Sequence, residues 1–203
     1  MASNDPQPMD PNGLALHELS DLLCDSGLVT RLLDLAMDED LGAGRGGGGA
    51  DITSEVAIPA DHRSRFHVVA RAAGVASGLV PLYELTNRWP EIAYAPTVRD
   101  GDAVAAGQTV ARIAGPTREI LGIERVYLNL LGRLSGIATR TRQFVEAMGT
   151  GHRAHLYDTR KTTPGLRVLE KYAVRCGGGR CHRFGLHDAV LLDRKSTRLN
   201  SSH

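Results

Sequence analysis

The sequence predicts a two-part chain, α+β in its first part and α/β in its second. Three observations carry this. Helical apolar spacing is mixed with short strand-like runs up to residue 115. A long helical periodicity then opens at Pro116-Thr117. Beyond Gly149 and Gly151 the pattern becomes strand–helix–strand, with a crossover long enough to join parallel strands.

Residues 1–13 are polar and proline-rich and read as a disordered lead-in, without the basic and apolar regions of a signal peptide. Leu28, Val29, Leu32, Leu33 and Ala36 recur at helical spacing after Asp25-Ser26, which can cap the start. That helix should end near Leu41-Gly42. Gly42 to Ala50 offers few side chains to pack and reads as a flexible linker. Its G-x-G-x-x-G pattern follows a helix, not a strand, so a dinucleotide phosphate cradle is not supported. Residues 65–71 predict a strand, and Pro81 to Trp89 a short helix opened by proline. Two more strands, Ala93–Val98 and Thr109–Ile113, flank turns at Asp100-Gly101-Asp102 and Gly107. Those turns look like parts of lipoyl or biotinyl carriers, but no lysine precedes Lys161, so they read as structural.

Ile120, Ile123, Val126, Tyr127, Leu130, Leu131 and Leu134 form one apolar helical face. Ser135-Gly136 should interrupt it, and a second helix carries Ile137, Thr141, Phe144, Val145 and Met148. Glu124-Arg125 reads as a solvated pair, while Asn129 and Arg133 extend Arg125's face into a polar stripe of interface character. His155–Tyr157 predicts a strand, Gly165–Arg175 a helix and Ala189–Leu192 a strand. Sites in such folds lie at the carboxyl ends of strands, where Asp158–Lys161 falls. Arg194 to His203 does not continue the pattern, and a barrel needs more strand–helix units than are present. The expectation is a fragment or an unnatural C-terminus.

The chain has 203 residues, 42% of them hydrophobic, and a formal charge of +1. This allows one large or two small cored domains and argues against a general nucleic-acid or membrane binder. No apolar run approaches the roughly 20 residues that span a bilayer. Cys24, Cys176 and Cys181 are sparse and odd in number, which fits a reducing cytosol rather than a disulfide framework. Cys176, Cys181 and His182 lack a second ligand pair at zinc spacing, so no metal site is assigned.

The run from Tyr157 to Gly165 carries the chemistry. Arg160-Lys161 lies there among hydroxyls, and His182-Arg183 follows the triplet Gly177-Gly178-Gly179. Two solvated basic pairs are the bland alternative. Against it stands their placement at turns of a strand–helix–strand unit. Arginine's planar fork matches a carboxylate, so these cations could hold a dicarboxylate and stabilise charge during bond cleavage. An anion-handling enzyme is the first expectation.

Ordered motifs then identify a family. They are Glu39-Asp40-Leu41-Gly42, Asp51-Ile52-Thr53-Ser54, Glu124-Arg125-Val126 with Leu128-Asn129, and Leu134-Ser135-Gly136-Ile137-Ala138-Thr139. Asp158-Thr159-Arg160-Lys161-Thr162, Pro164-Gly165-Leu166-Arg167, Leu169-Glu170-Lys171-Tyr172-Ala173-Val174, the glycine triplet, and His182-Arg183 with Gly185-Leu186 follow. Over residues 28–192 the chain resembles quinolinate phosphoribosyltransferase, also called carboxylating nicotinate-nucleotide pyrophosphorylase. The resemblance implies an N-terminal α+β sandwich over 14–115 and the first part of an incomplete α/β barrel over 116–192. It implies a cytoplasmic enzyme of NAD synthesis. Phosphoribosyl pyrophosphate would transfer its sugar to quinolinate, with decarboxylation, and Mg2+ would accompany the pyrophosphate. By motif, Arg160 and Lys161 are catalytic; with Thr159, His182 and Arg183 they line the quinolinate pocket, and Arg125 is the catalytic arginine donated across a homodimer.

The family strand matching Val190-Leu191-Leu192 is followed by a lysine and Asp-Asn-His, whereas Asp193-Arg194-Lys195-Ser196 stands here. Residues 193–203 therefore read as a tail foreign to the family, and the chain is expected to be inactive and poorly soluble. The alternatives are a paralogue, molybdenum-transport-associated or nicotinate-specific, and a non-catalytic dicarboxylate-binding or dimerisation fragment.

Overall fold

The computed structural model describes residues 10–42, 49–151 and 153–188. The expected strand Ala189–Leu192, the tail, and most of the glycine-rich loop lie outside these. Of the expected disordered lead-in, residues 10–13 are described, and they form a turn. Asn12 holds that turn by exchanging two hydrogen bonds with the Cys181 backbone, at 3.0 and 2.7 Å.

Helix α1 (Leu16–Asp25) has no counterpart among the expected elements, although Leu16, Leu19 and Leu23 follow helical spacing. Helix α2 (Leu28–Leu41) ends at Gly42 in the left-handed region (φ 77°), as its periodicity predicts. Its start differs from expectation. Gly27, also left-handed at φ 68°, occupies the N-cap, and Ser26 closes α1 instead. The Ser26 hydroxyl donates to the Leu23 carbonyl and accepts from the Leu28 amide, so it serves both helix ends. A short helix α3 (Ile52–Ala57), also unexpected, is capped by the Asp51 carboxylate at the Ser54 amide.

Strands β1 (Arg63–Val69), β3 (Ala93–Pro96) and β5 (Thr109–Pro116) form an antiparallel sheet in the order β1-β5-β3. Between them, β2 (Gly74–Val75) pairs with β4 (Ala103–Val104), and α4 (Tyr83–Thr86) occupies part of the helix expected from Pro81 to Trp89.

Helix α5 (Thr117–Met148) corrects the sequence reading most clearly. It is a single helix of 32 residues with no break at Ser135-Gly136. Its small polar residues dock β2 and the residues just after it rather than end the helix. Ser135 Oγ accepts from the Ser77 amide at 3.1 Å, and Thr139 Oγ1 accepts from the Val75 amide at 2.9 Å. A Cβ at Gly74 would lie 2.6 Å from Thr139 Oγ1, so this approach needs glycine. Towards its C-terminal end Phe144 is exposed, contrary to its expected place on an apolar face, and the Arg140 guanidinium sits 4.7 Å from its ring centre.

Helix α6 (Arg167–Cys176) follows the expected helix closely. The strand expected at His155–Tyr157 contracts to one bridge, parallel, between Tyr157 and Arg180. The crossover expected from this strand led to Ala189–Leu192, outside the described residues, whereas the bridge seen here is made to Arg180. One continuous core runs from Leu19 through α5 to Cys176, with no gap at the junction of the two parts.

Asp100 ties the two parts together. Its buried carboxylate accepts from the Leu79 and Val80 amides and from the Tyr172 hydroxyl of α6, at 2.9, 3.0 and 2.8 Å. Burial pushes its carboxyl above the usual range, against the opposing effect of the three donors. Replacing Asp100 with Ala removes the acceptor of all three donors, two of them in buried bonds. The expected cost is about 3 kcal/mol or more, read as a lowered urea midpoint at unchanged m-value.

Candidate active-site cleft

A cleft of about 380 Å³ opens between α5, the segment following Tyr157, and α6. Thr159 and Lys161 line it, together with Arg133, Asp158, Glu170 and Lys171. Lys161 is exposed, and its backbone amide donates to Thr159 Oγ1 at 3.0 Å, which shapes the turn that presents it.

Asp158 organises the region. Lys171 on α6 is fully buried (0% exposed), and its Nζ meets Asp158 Oδ1 at 2.5 Å, with Asp158 itself only 6% exposed. The same oxygen accepts from the His182 amide at 2.8 Å. Lys171 Nζ also donates to the His182 carbonyl at 3.3 Å and lies 5.2 Å from the Phe184 ring centre. Two loops distant in sequence are thereby held to one helix. Arg167 adds a brace, from Thr162 Oγ1 to the Phe184 carbonyl.

The second ion pair joins α5 to α6. Arg133 donates through Nε and Nη2 to Glu170 Oε1, at 3.1 and 2.5 Å, and through Nη2 to Thr163 Oγ1. Glu170 Oε2 accepts from the Thr163 amide at 3.1 Å. Burial works to raise the Glu170 carboxyl, but the bonds from Arg133 and Thr163 outweigh it and hold the group below its ordinary value.

The expected site residues are thus only partly gathered. Thr159 and Lys161 share the cleft. Arg160 is half-buried beside it, with a buried Nε that has no partner among the described residues. His182 and Arg183 follow the loop that Asp158 secures. His182 is exposed, and its Nδ1 accepts from the Arg183 amide at 2.8 Å, so a neutral ring carries its proton on Nε2. Arg125 is exposed on α5, eight residues before Arg133 and so about 12 Å along the axis, and does not line the cleft.

Sequence reasoning missed the roles of Asp158, Glu170 and Lys171, and placed Arg133 only in a polar stripe. One signal was available: Glu170-Lys171 sits between Leu169 and Tyr172 on the buried face of α6, where a charge requires a partner. Burial pushes the Cys176 and Cys181 thiols up to about 12, which makes them inert at neutral pH. The described residues contain no group of three or more His, Cys, Asp or Glu arranged to hold a metal ion.

Because the folded-state value of Glu170 is lowered, its stabilising contribution is present above the ordinary glutamate value and lost as pH falls through the lowered one. Wild type should exceed Glu170→Gln in melting temperature at neutral pH, and the gap should close in acid. A gap that stays constant across that range would contradict the assignment.

Comparison with known proteins accords with this arrangement. The family model for the quinolinate phosphoribosyl transferase N-terminal domain matches residues 51–135. The model for the C-terminal domain matches residues 137–202, which includes most of the segment read as a tail. The boundary between the two falls inside α5. A probable nicotinate-nucleotide pyrophosphorylase (carboxylating) of Bacillus subtilis is 40% identical over 165 residues, 81% of this chain and 54% of that protein. A mitochondrial quinolinate phosphoribosyltransferase (decarboxylating) of Nicotiana glauca is 38% identical over 166 residues, 81% of this chain and 45% of that protein. The chain therefore spans about half the length of the curated relatives it matches. Among solved structures, NadC from Streptococcus pyogenes aligns with a TM-score of 0.76 at 37% identity, covering 86% of this chain and 60% of that one. The nicotinate-nucleotide pyrophosphorylase of Francisella tularensis aligns with a TM-score of 0.78 at 31% identity, covering 97% and 63%. With both domain models matched in order and the fold shared, the chain belongs to the quinolinate phosphoribosyltransferase family.

Proposed function

We propose that the complete protein transfers the phosphoribosyl group of phosphoribosyl pyrophosphate to the ring nitrogen of quinolinate and then releases the 2-carboxylate as carbon dioxide. The products are nicotinate mononucleotide and pyrophosphate. The observation that carries this reading is the cleft in which Lys161 and Thr159 stand exposed on a loop fastened by the buried Asp158–Lys171 pair. An exposed cation on a fixed backbone suits a substrate that must be oriented before bond cleavage.

In this reading Lys161, Thr159, Arg160, His182 and Arg183 surround the two carboxylates of quinolinate. Once the ring nitrogen is ribosylated, the cationic ring accepts the electron pair left by departing carbon dioxide, and that carbon then takes up a proton. In this reading Mg2+ enters with the pyrophosphate substrate. Arg125, exposed and away from the cleft, is suited to completing the site of a second subunit in a homodimer. No helix among the described residues is long and apolar enough to cross a membrane. A reducing, cytoplasmic setting belongs to the same proposal, on the sparse and odd cysteine count of the sequence.

The 203-residue chain is proposed to bind quinolinate without turning it over, because Asp193 stands where the family pattern carries a lysine. Calorimetric titration of the chain with quinolinate should show binding, weakened about tenfold or more by Lys161→Ala through loss of a charge-assisted contact. Nicotinate mononucleotide should not form when phosphoribosyl pyrophosphate and Mg2+ are added, and its appearance would refute the inactivity. Titration without heat in the unmodified chain would count against the quinolinate reading itself.

A further inference from the structure

We propose that Arg133 is a specificity-determining residue of the cleft, binding the 2-carboxylate of quinolinate, the one nicotinate lacks, through its Nη1 edge. This rests on the quinolinate reading above. Neither the basic pairs of the sequence nor the motif resemblance assigns Arg133 a ligand.

The geometry starts from the donor count. A guanidinium carries five N–H groups. Three are used, by Glu170 Oε1 twice and by Thr163 Oγ1 once, all through Nε and Nη2. The two N–H groups on Nη1 meet no acceptor among the described residues. Arg133 nevertheless lines the cleft and keeps 44% of its side chain exposed, while its anchor Glu170 is only 11% exposed. One edge of the fork is therefore clamped by a largely buried carboxylate, and the other is available to a ligand. Holding the fork in place beforehand removes the ordering cost that a mobile arginine would bear on binding.

Lys161 and Arg133 enter the same cleft from different elements, a loop and a helix. Nicotinate keeps only the 3-carboxylate, which Lys161 can meet, and has no group for Arg133 where the 2-carboxylate would stand. Vicinal carboxylates can engage both, so the pair discriminates the dicarboxylate from its decarboxylated analogue. Glu170 serves here as a positioning residue, acting through Arg133.

The test is calorimetric titration of the full chain with quinolinate and, separately, with nicotinate. Wild type is expected to bind quinolinate the more tightly. Arg133→Met should weaken quinolinate about tenfold or more, as loss of a bond to a charged group would, while leaving nicotinate unchanged. A purely structural role would lower both affinities together. Since Arg133→Met strands the Glu170 carboxylate, the double variant Arg133→Met/Glu170→Gln is measured in parallel. Its neutral glutamine still offers an oxygen to the Thr163 amide, and it should show the same selective loss. A quinolinate-to-nicotinate ratio unchanged from wild type, in whichever of the two variants folds, overturns the proposal alone. Failure of wild type to bind quinolinate overturns the parent reading and takes this proposal with it.

Discussion

A lysine ammonium shut away from water must be neutralised within the protein, because the desolvation of an unpaired charge costs several kcal/mol. Lys171 is in that position, and Asp158 is the carboxylate that meets it. The arrangement at the cleft follows from this pairing. Asp158 begins the loop that carries Thr159, Arg160 and Lys161, and the oxygen that pairs with Lys171 also takes the His182 amide. The parallel bridge between Tyr157 and Arg180 lies immediately before both loops and sets their register. One buried charge pair thus fixes two cation-bearing segments against one helix.

Helix α5 supplies the other wall, and its length matters. A helix broken at Ser135 would not carry Arg133 on the same rigid body as Ala138, Thr141 and Arg142. Those later residues receive the glycine triplet at van der Waals range. A Cβ at Gly177 would lie 2.5 Å from the Ala138 carbonyl oxygen, so only glycine admits this approach. Arg142 Nε donates to the Gly177 carbonyl at 3.1 Å, and Nη2 reaches the Cys176 carbonyl, at the end of α6 where helical acceptors lack partners. The contacts that seat α6 therefore also set the distance between Arg133 and Glu170.

Much of the fold was legible because it is written in local periodicity. The end of α2 at Gly42, the strands of the antiparallel sheet, and α6 all follow from spacing and turn chemistry. The break expected in α5 failed for a specific reason. Ser135-Gly136 looks like a helix end when read alone, yet the hydroxyls of Ser135 and Thr139 accept from the Ser77 and Val75 amides, some 60 residues away. Helix α1 was missed although its leucines carry the period, since its role is to cover α6 and α2 and no turn residue announces it. At the site, the loop bearing Lys161 was legible from its cations and turn residues, and the Asp158–Lys171 pair was not.

The sequence by itself determined the chemistry available, which is a loop rich in cations and hydroxyls, a glycine triplet with His182-Arg183 after it, and the ordered motifs of one family. It also determined much of where helices and strands form, as at the end of α2 and along α6, because those depend on neighbours a few residues away. Tertiary structure decided which charges are spent on one another and which remain for a ligand. Lys171 and Lys161 are the same residue type ten positions apart, yet one is buried against Asp158 and the other stands open in the cleft. Arg133 and Glu170 are separated by 37 residues and meet only because α5 packs on α6. Electrostatic pairing depends on distance and solvent exposure in space, and neither is carried by the order of residues along the chain.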